Sequence, residues 1–213
     1  MQMVETATRS ETPSTLATPQ ERLLALLRGE FQPLFALLDA ARDPMILKLL
    51  LESKEEYQSL YQGAQGEKLV NFAPYLVRLP RQSPLLDKLA TDGWGKSWGI
   101  FLACDKSLQE VRTHFRHFLM VKTEAGKDLY FRFYDPRVLR VFLPSCTSDE
   151  IKRFFGPVKY FLLEDQQPEA LLNFKNRAGA VEKAVIPLFP YKPTSTAISA
   201  SLSTSGEKPL RSY

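Results

Sequence analysis

Four times between residues 18 and 165 a helix-capping side chain stands directly before a proline: Thr18-Pro19, Asp43-Pro44, Ser83-Pro84 and Asp135-Pro136. Each pair is a helix start. The oxygen of Thr, Asp or Ser accepts the free N–H groups of a first turn, and proline, with no N–H to leave unpaired, takes the first helical position. Glu21 three residues after Thr18, Glu110 after Ser107 and Glu150 after Thr147 complete capping boxes. The chain is therefore punctuated into short elements. Helices are predicted from Pro19 to the stop at Gly29, from Asp43 through about Leu51, from Ser83 to Gly93, and from Ser107 with Leu108, Val111, Phe115, Phe118 and Leu119 on one face. Two more run from Asp135 to Leu143, where Pro144 prevents continuation, and from Thr147 through Phe155, stopped by Gly156-Pro157.

The intervals between helices hold apolar runs of strand length. Leu34–Leu38 is one, although Leu and Ala are also good helix formers, and Leu69–Leu79 reads as a strand bent near Pro74. Trp98–Ala103 is apolar on both faces, as expected of a central strand covered on both sides. Phe118–Lys122 and Leu129–Tyr134 flank the turn 124–128 as a hairpin, and Val158–Leu163 reads as the last core strand. This alternation predicts an α/β or α+β fold: a single domain with a mixed β-sheet flanked by helices.

Composition sets the outer bounds. With 213 residues, 44% hydrophobic and 24% charged, the chain can bury a sizeable core without staples, which excludes wholesale disorder. No run of about 18 apolar residues would span a membrane, and the first residues lack the basic and apolar regions of a secretory signal. Two cysteines, Cys104 and Cys146, are too few for a disulfide scaffold or a structural zinc site and suggest a reducing cytoplasm. The net charge of +4 comes from dispersed residues, so the clustered footprint of a nucleic-acid-binding protein is missing. Residues 1–18 read as a disordered leader, 19–165 as the domain, 166–193 as a variable extension and 194–213 as a disordered Ser/Thr-rich tail.

The chemical inventory is thin. Gly95-Lys96-Ser97-Trp98-Gly99 matches the G-x-S-x-G nucleophile elbow, but that motif needs a strand before the serine and a helix after it, and here the order is reversed. A serine hydrolase using Ser97 is therefore an alternative reading only, as is nucleic-acid binding. The Gly-Lys-Ser within it ends a phosphate-binding loop whose first glycine would fall at Ala90. His114 and His117 lack the further ligands that a metal needs. No catalytic residue, metal site or cofactor is expected. The densest signal is Leu129–Arg137, where alternation puts Phe131 and Phe133 on one sheet face and Tyr130, Arg132 and Tyr134 on the other. Arg132 between two tyrosines suits stacking or a carboxylate contact, with Asp135 able to supply the carboxylate as well as the helix cap. Two roles stay open for Trp94, Trp98, Tyr130, Arg132, Tyr134, Asp135 and Arg137: keeping the fold, or anchoring a protein partner.

Five blocks occur in order along the chain: Leu34–Asp39 with Ala40-Ala41-Arg42-Asp43-Pro44, Ala73–Val77, Gly93–Ile100, Phe131–Leu139 and Phe155–Val158. Together they resemble the family catalogued as domain of unknown function 4123, over about residues 34–163. The resemblance implies an adaptor chaperone of bacterial type VI secretion, of the kind often encoded between a VgrG spike protein and a toxic effector. Such a protein stays in the cytoplasm, binds the N-terminal part of the effector and helps to mount it on the spike. It implies no catalytic residues; the dispersed charge and the lack of a membrane-length apolar run are what imply no nucleic-acid partner and no membrane partner.

Overall fold

Every predicted cap closes on its helix. Thr18, Ser107 and Thr147 form reciprocal boxes with Glu21, Glu110 and Glu150, while Asp43, Ser83 and Asp135 accept from the N–H groups of Met45, Leu86 and Arg137. The structure, a computed structural model, describes residues 18–122, 126 and 128–189. The expected leader before Thr18, the Ser/Thr-rich tail and positions 123–125 and 127 of the hairpin turn lie outside the described residues. The helices are α1 (Pro19–Arg28), α2 (Pro44–Glu52), α3 (Gly63–Lys68), α4 (Pro84–Lys88, continued by a wider turn over Leu89–Gly93), α5 (Leu108–Arg116), α6 (Pro136–Ser145) and α7 (Ser148–Phe155). Interleaved with them are β1 (Leu34–Asp39), β2 (Tyr57–Ser59), β3 (Pro74–Leu79), β4 (Gly99–Ala103), β5 (Met120–Lys122), β6 (Asp128–Tyr130), β7 (Tyr160–Glu164), β8 (Ala170–Arg177) and β9 (Ala180–Pro187).

Seven strands form one sheet in the order β2-β3-β1-β4-β7-β8-β9, and β5 and β6 form a separate ribbon. Every pairing is antiparallel, so the fold is α+β. The parallel pairs that a mixed sheet would contain do not occur among the described strands. The continuous apolar runs of β1 and β4 report cover on both faces, and that cover does not require parallel neighbours.

Alternation along the strands sorts the core into two layers. Phe35, Leu37, Ile100, Leu102, Phe161 and Leu163 meet α5, α6 and α7 on one face. Leu34, Ala36, Leu38, Phe101 and Leu162 meet α1, α2 and α4 on the other. The first layer is rich in rings: Phe115 stacks on Phe133 with centroids 5.3 Å apart, and Phe154 packs edge-on to Phe118 and Phe142. A domain buried from both sides accommodates most of its phenylalanines in this way, each contributing a large apolar area.

Several boundaries differ from expectation, each for a local reason. Helix α6 runs through Pro144 to Ser145, because proline keeps a helical φ and near the helix end removes only its own N–H donor to the Arg140 carbonyl. Val70–Phe72 forms a single 3-10 turn, and the strand begins only at Pro74. The hairpin strand ends at Tyr130: Phe131 N–H still donates to Leu119 O, but Asp135 N–H already closes a turn on Arg132 O. Phe133 and Tyr134 consequently both point inward, and Tyr134 does not share the outer face with Arg132. Beyond the expected last strand, β8 and β9 extend the same sheet through a two-residue turn at Ala178-Gly179, both at positive φ. Ala178 is an unusual residue there, so this hairpin carries no sequence signal. The outer edge on β9 is blunted by Glu182, Lys183 and a terminal Pro187.

Candidate functional site

The antiparallel order brings three sequence-distant points to one end of the sheet. β1 ends at Asp39, the start of its neighbour β4 lies beside that end, and β7 ends beside the start of β4 at Glu164. The backbone confirms the convergence: Asp39 N–H donates to Trp98 O at 2.8 Å. Both acids directly follow an apolar strand and are buried. A buried carboxylate needs donors, and each has recruited a loop.

Glu164 organises Gly95–Ser97. Its carboxylate accepts from Gly95 N–H at 2.6 Å, Ser97 N–H at 3.0 Å and the Ser97 hydroxyl at 3.1 Å. Gly95 and Ser97 sit at φ of 82° and 55°, which turns their two N–H groups toward one anion, while the Lys96 N–H between them donates to Gly93 O. The Gly-Lys-Ser fragment thus does cradle an anion, but the anion is the chain's own glutamate. Burial pushes the Glu164 carboxyl up from the ordinary carboxylate value, against the pull of the Gly95 and Ser97 bonds. Arg140 donates to the Glu164 carbonyl at 2.8 Å, and Trp94 Nε1–H donates to Pro168 O at 2.7 Å, tying the loop to the β7–β8 connection. Trp98 is buried in the second core layer, with the Lys96 ammonium 5.4 Å from its ring centroid. Trp94, Ser97 and Trp98 therefore hold a corner of the fold together.

Asp39 and Asp135 organise the other half. Arg132 donates to Asp39, whose carboxylate also accepts Ala41 N–H at 3.2 Å. Asp135 caps α6 at Arg137 N–H and receives the Arg137 guanidinium at 2.9 Å from Nε and 2.6 Å from Nη2. Arg132 thus takes its carboxylate from β1 and not from Asp135, which pairs two residues downstream instead. Burial pushes the Asp39 carboxyl up, with Arg132 opposing. Burial acts the same way on Asp135, but the hydrogen bonds and charge of Arg137 outweigh it and hold that carboxyl below its ordinary value. Arg42 adds a third guanidinium beside Asp135 and donates to Lys96 O at 3.5 Å. Tyr134 is buried and hydrogen-bonded to Tyr61, its hydroxyl pushed up by desolvation and the nearby Tyr61 and Asp39. The Tyr61 ring lies 5.7 Å from that of Tyr130.

Arg132, Tyr134, Asp135 and Arg137 are therefore brought together, and Tyr130 joins them through Tyr61. Trp94 and Trp98 belong to the Glu164 half of the same sheet end. Sequence reasoning missed Asp39, Glu164, Arg42 and Arg140. The first two had a readable signal, an acid closing an all-apolar strand; the arginines had none. His114 Nε2–H donates to Phe154 O at 2.8 Å while His117 Nδ1 contacts His114 O at 3.3 Å, so the two rings are turned to different groups. Cys104 and Cys146 lie against the carbonyls of Pro157 and Phe142, and burial pushes the Cys146 thiol up to about 11. Among the described residues, no group of three or more His, Cys, Asp or Glu is placed to hold a metal ion. Nor is any helix among them long and apolar enough to cross a membrane.

Fold and corner together define an α+β domain, helices on both sheet faces, whose buried acids pin its loops. The chain belongs to the family described as Domain of unknown function (DUF4123), which matches residues 34–153. That span runs from β1 to α7 and includes the Asp39, Ser97 and Asp135 corner; Glu164 and the last three strands lie beyond it. No curated protein and no solved structure matches the chain.

Proposed function

We propose that this protein is a non-enzymatic adaptor chaperone of the bacterial cytoplasm that holds the N-terminal region of a type VI secretion effector and helps to load it onto the VgrG spike. The observation that carries the reading is the family membership over residues 34–153, together with what the resemblance to adaptor chaperones implies. The polar chemistry is consistent with it. The Ser97 hydroxyl donates to Glu164, and Asp39 and Asp135 pair with arginines, contacts that hold loops to the sheet. Large apolar side chains, in contrast, stand on the surface at Met120, Val121, Leu129 and Tyr130. Monomeric proteins seldom leave such groups together in water unless a partner covers them.

The deciding experiment is co-expression of the full chain with the effector encoded beside its gene. A complex that survives size-exclusion chromatography, and a secretion defect when the chain is deleted, are expected. An effector that is folded, soluble and secreted equally well without this chain would overturn the reading.

A further inference from the structure

The β5–β6 ribbon stands apart from the main sheet. Its register pairs Met120 with Tyr130 and Val121 with Leu129, and all four side chains are between 41% and 48% exposed. Adjacent strand positions face opposite ways, so Met120 and Tyr130 occupy one face and Val121 and Leu129 the other. A two-stranded ribbon with apolar groups on both wet faces is marginal by itself. Its base leads directly into the arginine rim: Phe131 N–H bonds Leu119 O, and the next residue is Arg132. There four guanidinium groups, Arg42, Arg132, Arg137 and Arg140, stand with three buried carboxylates, Asp39, Asp135 and Glu164, leaving one positive charge in excess. The side chains of Arg132 and Arg137 remain 42% and 49% exposed even while paired, and Arg42 is exposed. Pinned guanidinium planes of this kind retain N–H groups for a further carboxylate at small entropic cost, and Arg and Tyr are the residue types of interface hot spots.

We propose that the β5–β6 arm and the Arg42–Arg132–Arg137 rim form one docking surface, and that its occupant is a segment of the partner protein with apolar side chains beside carboxylates. The charge of the rim selects the acidic neighbour, and the two-faced arm selects the apolar residues. This inference rests on the adaptor reading and names its surface. A cleft of about 490 Å³ lies at the opposite end of β1, lined by Phe31, Pro33, Leu79 and Arg81 together with Glu55 and Glu56. Its mixed charge offers no such selection.

The test uses the full chain and the N-terminal region of the neighbouring effector in titration calorimetry. Val121→Asp and Leu129→Asp should each weaken binding by at least about tenfold, and Arg42→Glu by about fivefold. Binding by the natural chain should weaken as salt is raised, and less steeply in Arg42→Glu. Phe31→Asp, at a residue 91% exposed in the opposite cleft, should bind as the natural chain does. Thermal melts establish that each variant is folded. Folded arm variants that bind within about twofold of the natural chain overturn this surface while leaving the adaptor reading intact. Loss of binding in Phe31→Asp places the site in the cleft and overturns it too. Insensitivity to salt and to Arg42→Glu overturns the acidic assignment, and a natural chain that binds no effector overturns the adaptor reading together with this surface.

Discussion

Arg132 donates to Asp39 across 93 residues of chain, joining the loop before α6 to the end of β1. Asp39 is fully buried whereas the arginine is partly exposed, so the two partners are not equivalent. Removing the arginine leaves a buried carboxylate with, among the described residues, Ala41 N–H as the remaining donor to its side chain. Arg132→Met is expected to cost about 2–3 kcal/mol, at or below the lower end of what breaking a fully buried pair costs, because water reaches the guanidinium. Adding Asp39→Asn should recover part of the loss. Urea melts of the two single variants and the double variant check this, and strict additivity would show that the pair is not coupled.

At the neighbouring corner, Asp135→Ala removes a helix cap and the Arg137 contact together. A loss of about 1–3 kcal/mol is expected. Since the Asp135 carboxyl is held below its ordinary value, its contribution is present above that value and fades as pH falls through the lower folded one. Unchanged thermal stability combined with abolished partner binding would make this corner a binding surface only.

Ser97→Ala deletes one of the three donors to Glu164 and should cost about 1 kcal/mol, with effector loading unchanged. Glu164→Gln should cost more, since the neutral amide turns an N–H group toward the N–H donors of Gly95 and Ser97. Secretion assays alongside thermal melts separate the outcomes. A well-folded Ser97→Ala protein that fails to support secretion would give the hydroxyl a chemical role.

Gly156 turns the chain at φ 47°, and a Cβ there would collide with the His114 ring. Gly156→Ala should therefore destabilise by about 1–3 kcal/mol. Desolvation holds the His114 imidazole below its ordinary value, against the opposing Phe154 contact. The folded state thus favours the neutral ring, so its contribution is present above about pH 6.5 and is lost as pH falls through the lower folded value. The melting temperature of the natural chain should drop more steeply on acidification than that of His114→Gln. Parallel slopes would remove His114 from the acid response.

Removal of residues 1–17 and 194–213 should leave effector binding intact, because the described domain supplies the aromatic and arginine anchors. Thr18 must be kept, since its side chain caps α1. A trimmed protein that folds but binds more than about tenfold more weakly would place recognition in the terminal segments.

Local chemistry alone determined much of this architecture. Thr18, Asp43, Ser83 and Asp135 name their helix starts because a capping oxygen and the following proline act within one turn, and Trp98–Ala103 declares a strand covered on both faces because both alternating sets are apolar. The family blocks were equally legible. Strand direction was not, because a continuous apolar run is the same whether its neighbours are parallel or antiparallel. The β8–β9 hairpin was hidden because its turn uses Ala178, whose positive φ is imposed by the pairing on either side. Which carboxylate Arg132 would find was also beyond local reading. Asp135 is three residues away and Asp39 is 93, but a helix cap commits Asp135 to its own first turn and to Arg137, while the sheet delivers a buried, donor-poor Asp39 to the same corner. The Gly95–Ser97 loop followed the same logic. Its letters suggest a nucleophile or a phosphate loop, and only the antiparallel return of β7 shows that the anion it was built to hold is Glu164.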